Sequence, residues 1–198
     1  MFFKREREFQ YHPGIEQIIS DVIGGGTISR SDLAVFFSGE QLKELPPLCL
    51  VGQADDGVWH VVKTAEMYAD AAAEAIKYQV EKNHLFAVGD VITKSGLAGI
   101  AAAITAIDKS EDNYDAITVG ATLGDLSDGD VLVLASAAAD AGSASYLYTP
   151  TVLTMNKVDL TVANQSSGLL EAGKVNASVI PFPIDSTLKS ALSGIRFV

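Results

Sequence analysis

The sequence is poor in cysteine, basic residues and aromatic residues, and two of these shortages exclude classes of protein. Its 198 residues include one cysteine, Cys49, so no disulfide can form within the chain. Fourteen Lys and Arg face 25 Asp and Glu, which gives a formal net charge of −11. Because nucleic acids and anionic membranes attract clustered basic side chains, we expect neither as a partner. Aromatics make up only 8%, so aliphatic residues must build the core.

Long apolar runs are also missing. No run approaches the roughly 18 apolar residues that a membrane span needs. The charged segment Met1 to Glu8 lacks the apolar stretch of a signal peptide. We therefore expect a protein made in a cytoplasm and kept or assembled there.

The residues that usually carry chemistry do not form a recognisable pattern. His12, His60 and His84 lack partners at the spacing of a metal site. Cys49 lies between leucines, which is typical of a small buried residue. The loop from Asp125 to Asp130 resembles a calcium loop but lacks its 12-residue frame and final Glu, so a turn explains it better. We predict no catalytic residues, no cofactor and no metal, and hence a non-enzymatic protein; only a hydrolase with paired carboxylates stays open.

Short alternating segments separated by turn signals predict a mainly β protein, a small barrel or sandwich of short antiparallel strands. The turn at Ala54 to Gly57 predicts a hairpin between the strands on either side of it. Residues 32–37 fit either a strand or a turn of helix, residues 40–45 are predicted to be helical, and 65–74 are left open. The predicted strands are 48–51, 58–62, 75–81, 91–93, 103–107, 114–119, 131–134, 158–162 and 174–180.

A short N-terminal helix is predicted over residues 13–23. Apolar residues recur there at helical spacing, and the run Gly24 to Gly26 would end the helix. Pro13 suits its first turn. The apolar stripe consists of Ile15, Ile18, Ile19 and Val22.

A short C-terminal helix is predicted over residues 187–192, with Asp185 or Ser186 as its cap. Residues 168–173 before it are predicted to be a turn region. The apolar tail from Ile195 to Val198 needs a docking place in the core or on a neighbouring subunit.

The chain divides into three predicted regions: an N-terminal arm (1–12), a β/α region (13–83) and a β-rich domain (84–198). The pairs Gly89-Asp90 and Gly129-Asp130 both precede β-branched runs. We interpret them as two similar turns rather than as a duplication.

The β-rich domain resembles the head-fibre and capsid decoration proteins of tailed bacteriophages. The order of four segments carries the first part of this resemblance: Val88 to Ile92, Ile104 to Asp108, Tyr114 to Val119 and Gly129 to Leu132. The chain also ends like lambdoid decoration proteins, in which a Gly-x-Val-Asn-Ala strand precedes a helix and an Ile-x-Phe tail. Here those motifs are Gly173 to Ala177 and Ile195 to Phe197.

The resemblance implies a virion structural protein on the capsid surface, made in the host bacterium. Its implied partners are the major capsid protein and itself, as a homotrimer. Decoration proteins often pair an N-terminal arm with capsid strands. Here the implied contact residues are Phe2, Phe3, Lys4, Arg5, Arg7, Phe9 and Tyr11.

Two other functions fit the same profile. One is a tail or baseplate component, which would share the acidic, β-rich composition. The other is a carbohydrate- or cell-surface-binding β module, for which Tyr146 and Tyr148 are the candidate aromatic platform.

Overall fold

The structure is a computed structural model that describes residues 12–33, 44–96, 99–140 and 142–198. These residues form a mainly β protein, which confirms the predicted class. They include a 3₁₀ turn at Ala177–Val179 and an α-helix, α1, at Ser186–Ala191. The strands are β1 (Ile15–Asp21), β2 (Gly26–Ile28), β3 (Glu44–Leu45), β4 (Leu50–Gln53), β5 (Trp59–Val61), β6 (Thr64–Glu66), β7 (Lys77–Glu81), β8 (Val91–Lys94), β9 (Ala102–Asp108), β10 (Tyr114–Val119), β11 (Val131–Leu134), β12 (Val152–Thr154), β13 (Val158–Asp159), β14 (Gln165–Ser167), β15 (Leu169–Val175) and β16 (Ile195–Phe197).

Six strands form an antiparallel barrel in the order β6-β11-β8-β9-β10-β7. An antiparallel bridge between Met67 and Val80 joins the two outer strands and closes the ring. Closure leaves the backbone of this sheet without a long open edge. Its interior is filled by buried apolar side chains, among them Tyr78, Phe86, Ile92, Ile104, Ile117, Leu123 and Leu132.

The second sheet has eight strands, and its pairings also run round in a ring. The order is β1-β15-β12-β4-β5-β2-β14, with β16 parallel to β15. β1, at one end of this order, continues along the chain into β2, and β14, at the other end, continues into β15. Because β2 also pairs with β5, the sheet curls back on itself. Its buried residues include Ile28, Cys49, Val51, Trp59, Val61, Leu85, Val152 and Leu169. β3 and β13 pair with each other as a separate two-stranded sheet.

A third apolar cluster, the shared layer, contains residues of both sheets and of α1. β11 shows why: Leu132 and Leu134 belong to the barrel interior, whereas Val131 and Val133 belong to the shared layer. Side chains alternate across a strand, so a continuous apolar run requires cover on both faces. The shared layer also contains Leu48, Leu50, Leu153, Leu170, Val175, Leu188 and Leu192. Both sheets combine strands from 13–83 with strands from 84–198, so neither belongs to one predicted region alone.

The predicted N-terminal helix is wrong, because residues 15–21 form the strand β1. β1 pairs antiparallel with β15, and this long-range pairing outweighs the helical spacing of its isoleucines. Ile19 is 69% exposed, so no continuous helical stripe is buried. Gly24 and Gly25 have positive φ and form the turn into β2 rather than a helix cap.

Two other expectations also need correction. Residues 168–173 are not a turn region, since β15 runs from Leu169 to Val175 and the chain then enters the 3₁₀ turn. Of the segment 40–45, only Glu44 and Leu45 lie within the described residues, and they are extended.

Several predicted elements are confirmed. β4 and β5 form the expected hairpin, and the predicted strands 114–119 and 131–134 match β10 and β11. Asp185 caps α1 by accepting a hydrogen bond from the Leu188 N–H. The apolar tail docks within its own chain, because β16 pairs with β15 and Ile195 is buried.

We expect Gly52→Ala to lower the free energy of unfolding by about 3 kcal/mol, because overpacking beside a rigid backbone cannot relax cheaply. A Cβ at position 52, in β4, would overlap the carbonyl group of Thr149. The control is Gly120→Ala, whose Cβ would lie 3.8 Å from Thr105 Cγ2. We expect the control to be neutral or to stabilise by about 0.5 kcal/mol. Urea denaturation measures both, and equal effects would contradict the prediction.

Candidate functional site

A buried pair of one aspartate and one histidine lies where the chain passes from the eight-stranded sheet to the barrel. His60 in β5 and Asp32 in a short 3₁₀ turn approach to 2.8 Å between Nδ1 and Oδ1. The other Asp32 oxygen accepts the Val61 N–H at 3.0 Å. Burial raises the pKa of Asp32, and the bonds from His60 and Val61 oppose this shift. The pair therefore satisfies polar groups that the sheet would otherwise bury unpaired.

One face of the His60 ring is covered by an aromatic side chain. Tyr148 stacks on His60 with ring centroids 4.1 Å apart. No nucleophilic side chain hydrogen-bonds to the His60 ring among the described residues. The Asp32–His60 pair thus has two members of a catalytic triad without the third.

The two Gly-Asp turns have the same construction. Asp90 Oδ2 accepts hydrogen bonds from the Ala87 N–H, three residues earlier, and from the ammonium of Lys63. Asp130 Oδ2 likewise accepts the Ser127 N–H and the ammonium of Lys94. This supports the interpretation of two similar turns.

The contact between Lys94 and Asp130 also fits a turn, rather than a calcium loop, at the acidic residues 125–130. Partial burial works against ionisation of Asp130, but the contact with Lys94 and the hydrogen bond from the Ser127 N–H together outweigh it and lower the pKa of Asp130. Within the ranges that the structure describes, no three His, Cys, Asp or Glu side chains are grouped so as to hold a metal ion.

His84 belongs to a second buried polar group, at the end of the barrel. Its Nδ1 accepts the Phe86 N–H at 3.1 Å, and its Nε2 lies 3.3 Å from Asp115 Oδ2 without the alignment of a hydrogen bond. Asp115 also pairs with Lys82 at 3.0 Å. Burial lowers the pKa of His84 from 6.5 to about 4, although the Asp115 charge works in the opposite direction.

This shift predicts acid sensitivity. Between pH 6.5 and about 4 the unfolded chain protonates residue 84 and the folded chain does not, so acid favours unfolding. Over this interval His84 accounts for a loss of about 3 kcal/mol in the free energy of unfolding. We expect His84→Asn to abolish this loss. The Asn side chain keeps an acceptor for the Phe86 N–H.

The control is His12→Asn, at a half-buried histidine whose Nδ1 makes the same bond to the Gly14 N–H. We expect it to leave the acid limb of the stability curve unchanged. Urea denaturation at a series of pH values measures the effect. An unaltered acid limb in His84→Asn would contradict the prediction.

Cys49 is fully buried in the eight-stranded sheet. Its thiol donates to the Pro46 carbonyl at 3.0 Å, and burial raises its pKa well above the ordinary value. The sulfur therefore stays protonated and packed, as the sequence predicted.

The most distinctive surface feature is a pair of tyrosines on the outside of the barrel. Tyr68, just after β6, and Tyr114, at the start of β10, stack with ring centroids 5.4 Å apart. Tyr68 is 37% exposed and Tyr114 is half-buried. Tyrosine pairs of this kind suit contact with another molecule, since they offer both a flat apolar face and a hydroxyl.

A groove lies beside this pair, which we call the tyrosine-side groove. Its volume is about 390 Å³, which falls within the range of pockets that hold small ligands. Glu81 lies directly opposite Tyr114 in the strand register, and Glu66 precedes Tyr68 by two residues on the same strand face. The groove is lined by Glu66, Glu81, Lys82, Ala177, Ile180, Pro181, Phe182, Pro183, Ile184 and Lys189.

The contact residues implied by the resemblance, Phe2, Phe3, Lys4, Arg5, Arg7, Phe9 and Tyr11, lie outside the described residues. The structure places Tyr146 and Tyr148 against the shared layer, and both are half-buried. The stacked tyrosine pair was missed because residues 65–74 had no clear pattern, although Tyr68 and Tyr114 are visible as rare aromatics in this chain.

No helix in the portions of the chain that the structure describes is long and apolar enough to cross a membrane. Comparison with family models, with curated proteins and with solved structures found no match for this chain.

Proposed function

We propose that the protein is a non-enzymatic structural protein of a tailed bacteriophage, located on the capsid surface as a decoration or head-fibre protein. The major capsid protein is its proposed partner, and a homotrimer is its proposed assembly. The proposal starts from the motifs of the C-terminal region, because their order is what resembles that class of protein.

One observation supports it most strongly. The two parts of the C-terminal motif, about twenty residues apart in sequence, pair residue by residue. Gly173 faces Ile195, Lys174 faces Arg196 and Val175 faces Phe197. The Ala177 N–H then donates to the Val198 carbonyl at 2.8 Å. The motif is therefore one structural unit in this chain, and short motifs that pair are less easily explained as chance matches.

The rest of the molecule suits a protein that reinforces a shell. Two curled sheets share a buried apolar layer, and α1 closes it with Leu188. Apolar contacts between distant parts of the chain are thus buried in three clusters rather than one, and close packing of this kind favours a rigid body.

Attachment is proposed to run through the segment 1–11. It holds Lys4, Arg5 and Arg7, three of the 14 basic residues of an otherwise acidic chain. It is followed by β1, which pairs with β15 on one edge and has no partner strand on its other edge within the described ranges; we propose that a capsid strand pairs there.

Immunogold labelling of phage particles, with antibody raised against this protein, tests the proposed location. Label spread over the capsid supports the proposal. Label on the tail or baseplate would overturn it in favour of a tail component, and particles without label would remove the virion role. Light scattering at several concentrations tests the trimer, for which we expect three times the 20.8 kDa chain mass.

Co-sedimentation with capsids tests the attachment. We expect Arg5→Glu with Arg7→Glu to weaken binding at least tenfold, because charge reversal opposes contact with an acidic surface. Arg196→Glu is the matched control, since Arg196 is an exposed basic residue in β16. Equal binding by both variants would remove the arm from the proposal.

A further inference from the structure

The tyrosine-side groove is lined by two carboxylates, Glu66 and Glu81, and two ammonium groups, Lys82 and Lys189, and Asp115 beside Lys82 leaves one net negative charge. Lys82 pairs with Asp115 at 3.0 Å, and the Lys189 ammonium lies 5.7 Å from the centre of the Phe197 ring. Glu66 and Glu81 have no ion pair within the described ranges. The groove thus offers two carboxylates to a basic ligand.

The rest of the lining is largely apolar. Phe182 is buried, whereas Ile180 and Ile184 are half-buried and border the groove. Pro181 and Pro183 fix the backbone of this wall. With the stacked Tyr68 and Tyr114 nearby, the surface suits a segment that carries both basic and aromatic residues.

This chain contains one segment of that composition. Residues 1–11 hold Lys4, Arg5 and Arg7 within four positions, together with Phe2, Phe3, Phe9 and Tyr11. No other stretch of the chain has three basic residues so close together.

The chain also leaves the described body at the end of the groove. The Gly14 carbonyl accepts the Asn176 N–H at 2.9 Å, and a side chain at Gly14 would overlap Val179. Ala177 and Ile180, on either side of Val179 in sequence, line the groove. Eleven residues span at most roughly 40 Å, so a segment that begins beside the groove is long enough to lie along it.

We propose that residues 1–11 dock in the tyrosine-side groove of their own chain, with basic side chains against Glu66 and Glu81. Tethering places the segment at an effective concentration in the millimolar range, so a weak contact is sufficient. An external partner must then displace the segment from the groove in order to bind it. This regulatory role rests on the proposed function, because it assigns the same segment to capsid attachment; the docking itself does not.

Cysteine cross-linking in the full-length chain tests the docking. Arg7→Cys is combined with Glu81→Cys, and the protein is oxidised mildly. We expect a disulfide within one chain, seen as an unchanged monomer mass without reductant and loss of both new thiols to maleimide. Cys49 does not interfere, since it is fully buried.

The matched control combines Arg7→Cys with Ala106→Cys. Ala106 is exposed on β9, which lies three strands from β6 in either direction round the barrel. We expect at least tenfold slower cross-linking there. Equal rates at both positions, a disulfide between two chains, or no disulfide at position 81 would each overturn docking within one chain.

A second variant tests the charges without cysteine. Glu66→Lys with Glu81→Lys should release the segment, so trypsin should cleave after Arg5 and Arg7 at least fivefold faster than in the unmodified protein. Unchanged cleavage would overturn the assigned contacts. Neither readout needs a capsid, so docking can stand while immunogold rejects the virion role, or fail while the virion role holds. If both hold, the cross-linked protein should lose capsid binding and regain it on reduction.

Discussion

Replacing Asp32 by alanine is expected to lower the free energy of unfolding by about 4 kcal/mol, because removing one partner of a buried pair leaves the other uncompensated. Asp32 is 8% exposed, and its two oxygens serve different groups: the His60 ring at 2.8 Å and the Val61 N–H at 3.0 Å. Alanine leaves both without a partner in a largely buried place. The loss should therefore exceed that of one ordinary hydrogen bond.

Asp32→Asn separates the two contributions. The amide oxygen can still accept the Val61 N–H, so we expect this variant to lose about 2 kcal/mol. Asp56→Ala is the control, because the exposed Asp56 also accepts one backbone N–H, from Val58 at 2.9 Å. It should cost less than about 1 kcal/mol. Urea denaturation at pH 7 measures all three, and a loss in Asp32→Ala no larger than in Asp56→Ala would show that the pair contributes little.

Leu188→Ala is expected to lower the free energy of unfolding by about 3 kcal/mol, the usual cost of emptying a buried leucine site. Leu188 is fully buried in α1 and belongs to the shared layer with Val131 and Val133. A cavity there weakens the contact between α1 and the outside of the barrel. It should also loosen the tail, since β16 follows α1 after a short turn.

The comparison is Leu147→Ala. Leu147 is 42% exposed, and the bond from its backbone N–H to the Leu134 carbonyl survives the substitution. We expect a loss below about 1 kcal/mol. Hydrogen exchange adds a local readout, because the Val198 N–H, which donates to the Val175 carbonyl, should exchange faster in Leu188→Ala only. Equal denaturation midpoints for the two variants would contradict the proposed importance of the shared layer.

The candidate site was only partly visible in the sequence. The basic and aromatic composition of residues 1–11 was evident, and so was the scarcity of chemistry-bearing motifs. The groove was not, because its walls come from β6, β7 and residues 177–189, which are distant in sequence. The pairing of Asp32 with His60 was hidden for the same reason, since 28 positions separate the two residues.

Local patterns in the sequence were sufficient to determine the β class, the hairpin of β4 and β5, the strands β10 and β11, and the helix α1, whose cap they narrowed to Asp185 or Ser186. These features depend on side chains a few positions apart. The tertiary structure alone decided that residues 15–21 form a strand, that both sheets curl into rings, and that β11 is covered on both faces. The isoleucines of β1 recur at helical spacing and predicted a helix, but pairing with β15 across about 150 residues made the segment a strand. Such pairings are set by contacts between distant segments, which no local pattern contains.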